Sequence, residues 1–269
     1  MKEIIQTLKR SCRVFCLLLF AACRSGQMPA DDLGAFYDPH VYTYEAMALE
    51  FPQIDGFTVE VEGNHIILAG YTLLMTVNNT DPGEFLEGVR IRVYDINGEL
   101  LKEDFSGQDG SFIFALPVPQ SGVDGYFEIF KDGYPLIRQF DRRLDENWTN
   151  IRLRLFDQPL YDIPRTLLNQ QDDMGYIQGS IYDKETEIPL SGVVIEASSG
   201  EVVYLSDALL APVAGLKATQ SKGVFFVANS NPGIVTVKAK KDGVTLAEKS
   251  VITWKNGILT QLGLPVNNL

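Results

Sequence analysis

The sequence predicts an all-β protein, two tandem β-sandwich domains behind an export signal and a tether, and three observations predict it. Fifteen Phe and eleven Tyr stand beside few long apolar periodic runs, and aromatic and β-branched side chains suit a pleated, half-buried surface. From Phe57 onward, short alternating or fully apolar runs are separated by turn residues about every 8 to 12 positions. Three motifs then occur twice in the same order. With 269 residues and 45% hydrophobic content, the chain is long enough to bury two cores of ordinary size.

Residues 1 to 22 read as a signal peptide. Lys2, Lys9, Arg10 and Arg13 precede the apolar run Val14 to Ala21, and the small residues Ala21 and Ala22 stand just before Cys23. That run is far short of the roughly 20 residues a spanning helix needs. Phe20-Ala-Ala-Cys23 resembles the lipobox of bacterial lipoproteins, with Phe20 where that family usually carries Leu. The resemblance implies that Cys23 receives a diacylglycerol on its sulfur and becomes the new N-terminus. Cysteine arithmetic agrees with it: Cys12, Cys16 and Cys23 are the three in the chain, so cleavage leaves a single thiol and no internal disulfide. Membrane attachment would then rest on acyl chains, at about 0.8 kcal/mol per buried CH₂. Arg24, rather than Asp, follows the cysteine, and by the charge rule of enteric bacteria this directs such a protein to the outer membrane. The expected location is the cell envelope.

The formal charge is −12, from 35 acidic and 23 basic residues. Losing residues 1 to 22 removes four basic side chains and only Glu3 on the acidic side, so the mature chain is more acidic still. Nucleic acid is excluded as a partner, because phosphate binding needs a Lys/Arg face. The same sign opposes broad contact of the folded part with an anionic membrane.

Residues 23 to 55 read as a lipidated tether rich in turn formers, with a short helix over Tyr42 to Leu49. The first sandwich is assigned to residues 56 to 157. Its strands are expected at 57–61 and 65–69, joined through Glu62-Gly-Asn64, and at 71–77, 89–94, 111–116, 126–131 and 150–155. Ile151-Arg-Leu-Arg-Leu155 alternates strictly, which places Arg152 and Arg154 toward water. Residues 158 to 174, with Pro159, Pro164 and Asn169-Gln-Gln-Asp-Asp173, read as a linker. The second sandwich, residues 175 to 269, is expected to fold alone, with strands at 176–182, 193–198, 201–205, 224–228, 234–240, 244–252 and 258–264.

The two sandwiches read as copies. Glu87-Gly-Val-Arg-Ile-Arg-Val93 answers Ser191-Gly-Val-Val-Ile-Glu-Ala197. Gln108-Asp-Gly-Ser-Phe-Ile-Phe114 answers Ser221-Lys-Gly-Val-Phe-Phe-Val227, and Phe127-Glu-Ile-Phe-Lys-Asp-Gly133 answers Val237-Lys-Ala-Lys-Lys-Asp-Gly243. Gly110 and Gly223 are expected at positive φ, with Phe112 and Phe225 turned inward two positions later. Asp132-Gly133 and Asp242-Gly243 are hairpin signals. Thr186-Glu-Ile-Pro-Leu-Ser-Gly-Val193, Gly223-Val-Phe225, Pro232-Gly233 and Lys241-Asp-Gly243 together resemble the carboxypeptidase regulatory-like domain. That resemblance implies an Ig-like, transthyretin-like seven-stranded sandwich and no particular function. It covers nearly all of the second copy. The first keeps Gly88-Val89, Gly110-Ser-Phe112 and Lys131-Asp-Gly-Tyr134, but has Gly83-Glu-Phe-Leu86 in place of the Pro-Leu step.

Catalytic chemistry has little to draw on. The chain holds two histidines, His40 and His65, and lacks HExxH, GxSxG, a Cys/His cluster and a Gly-rich phosphate loop. No metal or other cofactor is expected. Asp95-Ile-Asn-Gly-Glu99 resembles the front of a calcium loop, but Ser106 stands where the bidentate Glu belongs, so a turn on Asn97-Gly98 is expected. Asp141, Asp145, Glu146 and Asp172-Asp173 read as solvated loop charges. Trp148, Tyr134, Tyr126 and Phe140 in the first sandwich and Tyr204 and Trp254 in the second, in or near loops and strand ends, are the rings that could stack on carbohydrate, and Tyr134, Trp148, Tyr204 and Trp254 are the candidates singled out for a platform. The expectation is a non-catalytic envelope lipoprotein acting as a spacer or a module that docks an envelope protein. A surface polysaccharide binder is the alternative, to be recognised by two or more of those rings standing exposed and coplanar.

Overall fold

The computed structural model describes residues 65–76, 79–209 and 211–267. The signal peptide, Cys23, the tether with His40, and the expected strand 57–61 lie outside the described residues. What is described is nearly all β. In the first sandwich, one layer comprises β1 (His65–Thr76), β2 (Asn79–Phe85), β5 (Ser111–Pro117) and β8 (Trp148–Phe156), with β1 at its centre. The other comprises β3 (Arg90–Asp95), β4 (Leu100–Phe105), β6 (Gly125–Phe130) and β7 (Ile137–Phe140), in the order β7-β6-β3-β4. In the second sandwich, β9 (Gly175–Asp183), β11 (Glu201–Ser206), β12 (Ala211–Val213), β13 (Val224–Ser230) and β16 (Leu259–Val266) form one layer. It faces β10 (Val194–Ala197), β14 (Gly233–Lys241) and β15 (Val244–Thr253).

Among the described residues the expected strands are present, with four additions in β2, β4, β7 and β12. Two expected strands, 65–69 and 71–77, are instead one. Gly70 does not break β1, because it sits where a Cβ would strike the carbonyl of Ile151 on the parallel neighbour β8. Gly179 takes the equivalent place in β9, where a Cβ would run into the Phe225 ring. Phe225 is fully buried and Phe112 is 5% exposed, as their inward turn requires. Each such ring contributes roughly 1.5–3 kcal/mol by leaving water.

The pairing repeats with the sequence. β1 lies between antiparallel β5 and parallel β8; β9 lies between antiparallel β13 and parallel β16. Likewise β6 joins β3 and β7, and β14 joins β10 and β15, all antiparallel. A hydroxyl latch marks the same point in both copies. Ser106 Oγ donates to the Leu86 carbonyl at 2.7 Å and accepts the Val89 N–H at 3.0 Å. Thr219 Oγ1 donates to Leu190 at 2.7 Å and accepts from Val193 at 3.0 Å. Asp242 and Gly243 both hold positive φ, the requirement of a two-residue type I′ hairpin.

The two sandwiches are not separate beads. β16 pairs in parallel with β9 of its own sandwich and also with β7 of the first. One nine-stranded sheet, β12-β11-β13-β9-β16-β7-β6-β3-β4, therefore runs through both. The segment expected as a linker folds too, as helix α1 (Gln158–Leu167). Asp157 caps it by accepting the Leu160 N–H at 2.9 Å, and Pro159 sits in the first turn, where a missing N–H costs nothing. Buried Tyr161 donates its hydroxyl to the Gly257 carbonyl, holding the helix against the second sandwich.

Arg152 and Arg154 are a further correction. Arg152 is 8% exposed and Arg154 is half-buried, because the nine-stranded sheet passes close to the outer edge of β8. There Gln139 and Gln261 donate their amides to the carbonyls of Arg152 and Arg154, each at 3.3 Å. Side chains thus close an edge that, among the described residues, no strand covers.

Candidate functional site

Of the six candidate rings, Tyr126, Phe140 and Trp254 come together, but as a packed cluster with Tyr126 and Phe140 buried, and the four singled out do not assemble into a platform. Trp148 is 7% exposed, set edge-on to Phe127 at 6.1 Å, with the Arg142 guanidinium 4.3 Å from its ring. Tyr204 is 4% exposed, and its hydroxyl accepts the Ile195 N–H at 2.9 Å. Tyr134 is half-buried and packs on the first core. Trp254 is also half-buried, packed on the second core. Two rings therefore belong to each core, and none of the four stands exposed.

Trp254 does sit over a cluster of aromatic and charged side chains where the two sandwiches meet. Strand alternation on β6 and β7 sends Phe127, Ile129 and Ile137 into the first core. It sends Tyr126, Glu128, Arg138 and Phe140 to the opposite face, beside the second sandwich. Trp254, following β15, covers the end of this face. Its ring lies 5.5 Å from Tyr126 and 6.2 Å from Phe140, with the Arg138 guanidinium stacked 3.9 Å away. Tyr94 extends the aromatic row, 5.3 Å from Tyr126. Burial pushes the Tyr126 phenol up from its ordinary pKa.

A charged row runs beside the aromatic one, straight across four strands: Glu103, Arg92, Glu128 and Arg138. Glu128 is 6% exposed and bonds Arg138 at 2.7 Å and Arg92 at 3.6 Å; Arg92 also pairs with Glu103. A third row, Phe105, Arg90 and Phe130, flanks it, with Arg90 4.9 Å over the Phe130 ring. The outer face of the second sandwich carries its own row: Glu196, Lys238 and Glu248 on β10, β14 and β15. There Lys238 meets Glu248 at 3.0 Å and Lys240 meets Glu196 at 2.7 Å.

On the far side of the junction, Tyr182 donates its hydroxyl to Asp141 at 2.6 Å. Asp141 was expected as a solvated loop charge; it lies instead beside Gly263 of β16, where a Cβ would crowd it. Burial raises its carboxyl above the usual range, opposed by Tyr182 and by Lys249, Arg142 and Arg154. The Tyr182 phenol is pushed well up, and the Lys249 ammonium down, each chiefly by burial. Asp145 and Glu146 remain exposed loop residues.

His65 opens β1, half-buried. Asp95 holds the expected turn: its carboxylate accepts the N–H groups of Asn97 at 2.9 Å and Glu99 at 2.7 Å. Among the described residues, no three His, Cys, Asp or Glu side chains come together as metal ligands, and no helix is long and apolar enough to cross a membrane. A shallow groove of about 460 Å³ lies against Trp254, between Pro232, Ile252, Lys255 and Ile258.

The charged rows went unnoticed in the sequence, although a signal was there. The aligned repeats place Arg92 against Glu196 and Glu128 against Lys238.

No family model matches the chain, and no curated protein matches it. Solved structures with some similarity include the shaft pilin SpaA from Lactobacillus rhamnosus GG, 13% identical, covering 77% of this chain and 98% of the pilin, with a TM-score of 0.24. The Bacillus anthracis TIE protein is 14% identical over 75% of this chain and 34% of its own, with a TM-score of 0.25. A 3-chlorocatechol 1,2-dioxygenase from Rhodococcus opacus 1CP is 12% identical over 37% of this chain and 62% of its own, with a TM-score of 0.25. At these TM-scores the likenesses carry no argument about what the chain does.

Proposed function

We propose that this chain is a non-catalytic lipoprotein of the cell envelope, anchored through Cys23, that serves as a stiff spacer and protein-docking module. The observation that carries the reading is the pairing of β16 with β7. Two sandwiches joined by a free linker would swing independently, whereas two that share a sheet hold their outer faces at a fixed distance and angle. Buried Tyr126 and Phe140, packing with half-buried Trp254 across the junction, support the same stiffness. A spacer needs no pocket, and the outer faces, with exposed Glu103, Phe105, Glu196 and Ile234, suit a protein partner better than a small ligand. The carboxypeptidase regulatory-like motifs and the Phe20-Ala-Ala-Cys23 lipobox are consistent with an accessory envelope protein, placed in the outer membrane by Arg24.

The test is fractionation of cells expressing the wild-type chain or Cys23→Ser, followed by cross-linking in the intact envelope. Wild type should stay in the membrane fraction after a high-salt wash, take up a labelled fatty acid and cross-link to a defined envelope protein. The Cys23→Ser chain should be unlabelled and released. Unchanged membrane retention of Cys23→Ser would remove the anchor, and capture of polysaccharide in place of protein would replace docking with glycan binding.

A further inference from the structure

We propose that this chain pairs with a second copy of itself, the outer face of each first sandwich receiving the outer face of the other copy's second sandwich. The inference goes beyond the spacer reading and does not depend on the lipid.

It begins with an inversion of sign. The repeat sets Arg92, Glu128 and Arg138 at the same places in the first sandwich as Glu196, Lys238 and Glu248 in the second: the same strands, the same cross-strand partners, the same outward face. At all three positions the charge is opposite. Cross-strand ion pairing within one sheet needs alternation but is indifferent to which sign comes first. Docking of one face on the other is not indifferent, and the inversion is what it requires. Taken alone, the three inverted positions read the same from either end in each row, so a face turned over onto the other still meets opposite charges.

Geometry then suits a closed pair. Tyr126 and Phe140 share the second core, so the first sandwich's outer face looks to the same side of the nine-stranded sheet as the layer β10-β14-β15. That layer stands one sheet spacing, roughly 10 Å, above it. Each copy is therefore a step, low over β4-β3-β6-β7 and high over β10-β14-β15. A two-fold axis along the strands sets the high part of each copy on the low part of the other, a self-complementary arrangement that closes at two. Of the two registers that match signs, the one that sets Lys238 on Glu103 and Arg92 on Glu196 or Glu248 is open to contact, whereas the one that sets Lys238 on Glu128 reaches a carboxylate buried within its own sheet. The registers between them set glutamate on glutamate and lysine on arginine, which excludes them.

Apolar groups flank both charged rows and stand exposed among the described residues. Phe105 is 56% and Leu100 47% exposed on the low face; Val194 is 43% and Ile234 74% exposed on the high one. Addition of a strand to the free edge β4 is disfavoured as an alternative, because Lys102, Glu103 and Asp104 line it and Asp104 takes the Phe105 N–H at 2.8 Å.

Sedimentation of the full chain in detergent, at low and high salt, tests the proposal. The wild type should form dimers and nothing larger at low salt, and dissociate as salt screens the rows. Glu196→Lys with Glu248→Lys should weaken the dimer by about tenfold or more, with Glu196→Gln and Glu248→Gln intermediate and all variants keeping the wild-type circular dichroism spectrum. Adding Arg92→Glu to the double lysine variant should restore pairing, which a purely structural role for these residues would not do. Cys23→Ser should dimerise like wild type, so a failure of the lipid anchor leaves this test intact. A wild type that stays monomeric at every concentration, or a dimer untouched by the lysine substitutions, would overturn the proposal and leave the rows as ties within each sheet.

Discussion

Replacing Thr219 by valine removes a hydroxyl while keeping the shape of the side chain. Thr219 is 4% exposed, and its oxygen serves two backbone groups at once, the Leu190 carbonyl at 2.7 Å and the Val193 N–H at 3.0 Å. Valine offers neither group a partner. A buried group stranded in this way costs about 1 to 3 kcal/mol. Leu190 is only half-buried and can recover part of its loss from water, so the expected sum is about 2 to 4 kcal/mol. For a cooperative unit of this size that lowers Tm by roughly 4 to 16 °C. Urea and thermal denaturation followed by circular dichroism would measure it. Ser106→Ala should act alike in the first sandwich, on Leu86 and Val89. The two losses should add, because the latches share no partners. A Thr219→Val chain within about 0.5 kcal/mol of wild type would refute the reasoning, since that is the range of a surface substitution far from any such feature.

Three further outcomes are expected. Phe225→Ala should destabilise by about 3 to 5 kcal/mol, because a fully buried ring is lost opposite Gly179 and nothing nearby can fill the space; denaturant titration checks it. Backbone N–H groups of Glu99 and Asn97, with the Asn97 amide, hold the Asp95 carboxyl below its ordinary pKa. A depressed folded pKa means stability present at neutral pH and lost as pH falls through that value. Asp95→Asn should therefore be less stable than wild type at neutral pH, and the gap should close in acid. The double variant His40→Ala, His65→Ala should keep its fold and its membrane attachment. Elemental analysis of the wild type should find no stoichiometric transition metal, and one equivalent of zinc would revive an enzymatic role.

Much of the architecture was legible because local signals and tertiary structure agree. Gly110-Ser-Phe112 and Gly223-Val-Phe225 announce a turn and an inward ring, and both behave so. The strands that escaped notice are those whose residues are set by their neighbours rather than by alternation. β4 reads Leu-Leu-Lys-Glu-Asp-Phe and β7 is four residues long; neither carries a period of its own. α1 escaped because two prolines in ten residues suggest a linker, yet Pro159 falls in the first turn and Pro164 is tolerated inside the helix. Arg152 and Arg154 were assigned to water by a correct period and an incomplete environment, since the period cannot know that a second sheet passes close to β8. The aromatic candidates show the same limit. Position near a strand end is visible in sequence, but whether a ring such as Trp148 faces solvent or its own core depends on the opposite layer.

The shared sheet also dictates an order of events in folding. β7 and β16 are paired residue for residue, Ile137 with Leu259 through Phe140 with Leu262, yet most of the second sandwich lies between them in the chain. As the chain is made from its N-terminus, the first sandwich can collect β1 to β8 early but must wait with one flank of β7 open. Such an unpaired flank is a template for any extended segment nearby, and pairing across so long a separation is slow. The interval between the appearance of β7 and the arrival of β16 is thus when this chain is most exposed to wrong partners, including the β16 of another nascent copy. A chaperone acting on it would find its substrate there.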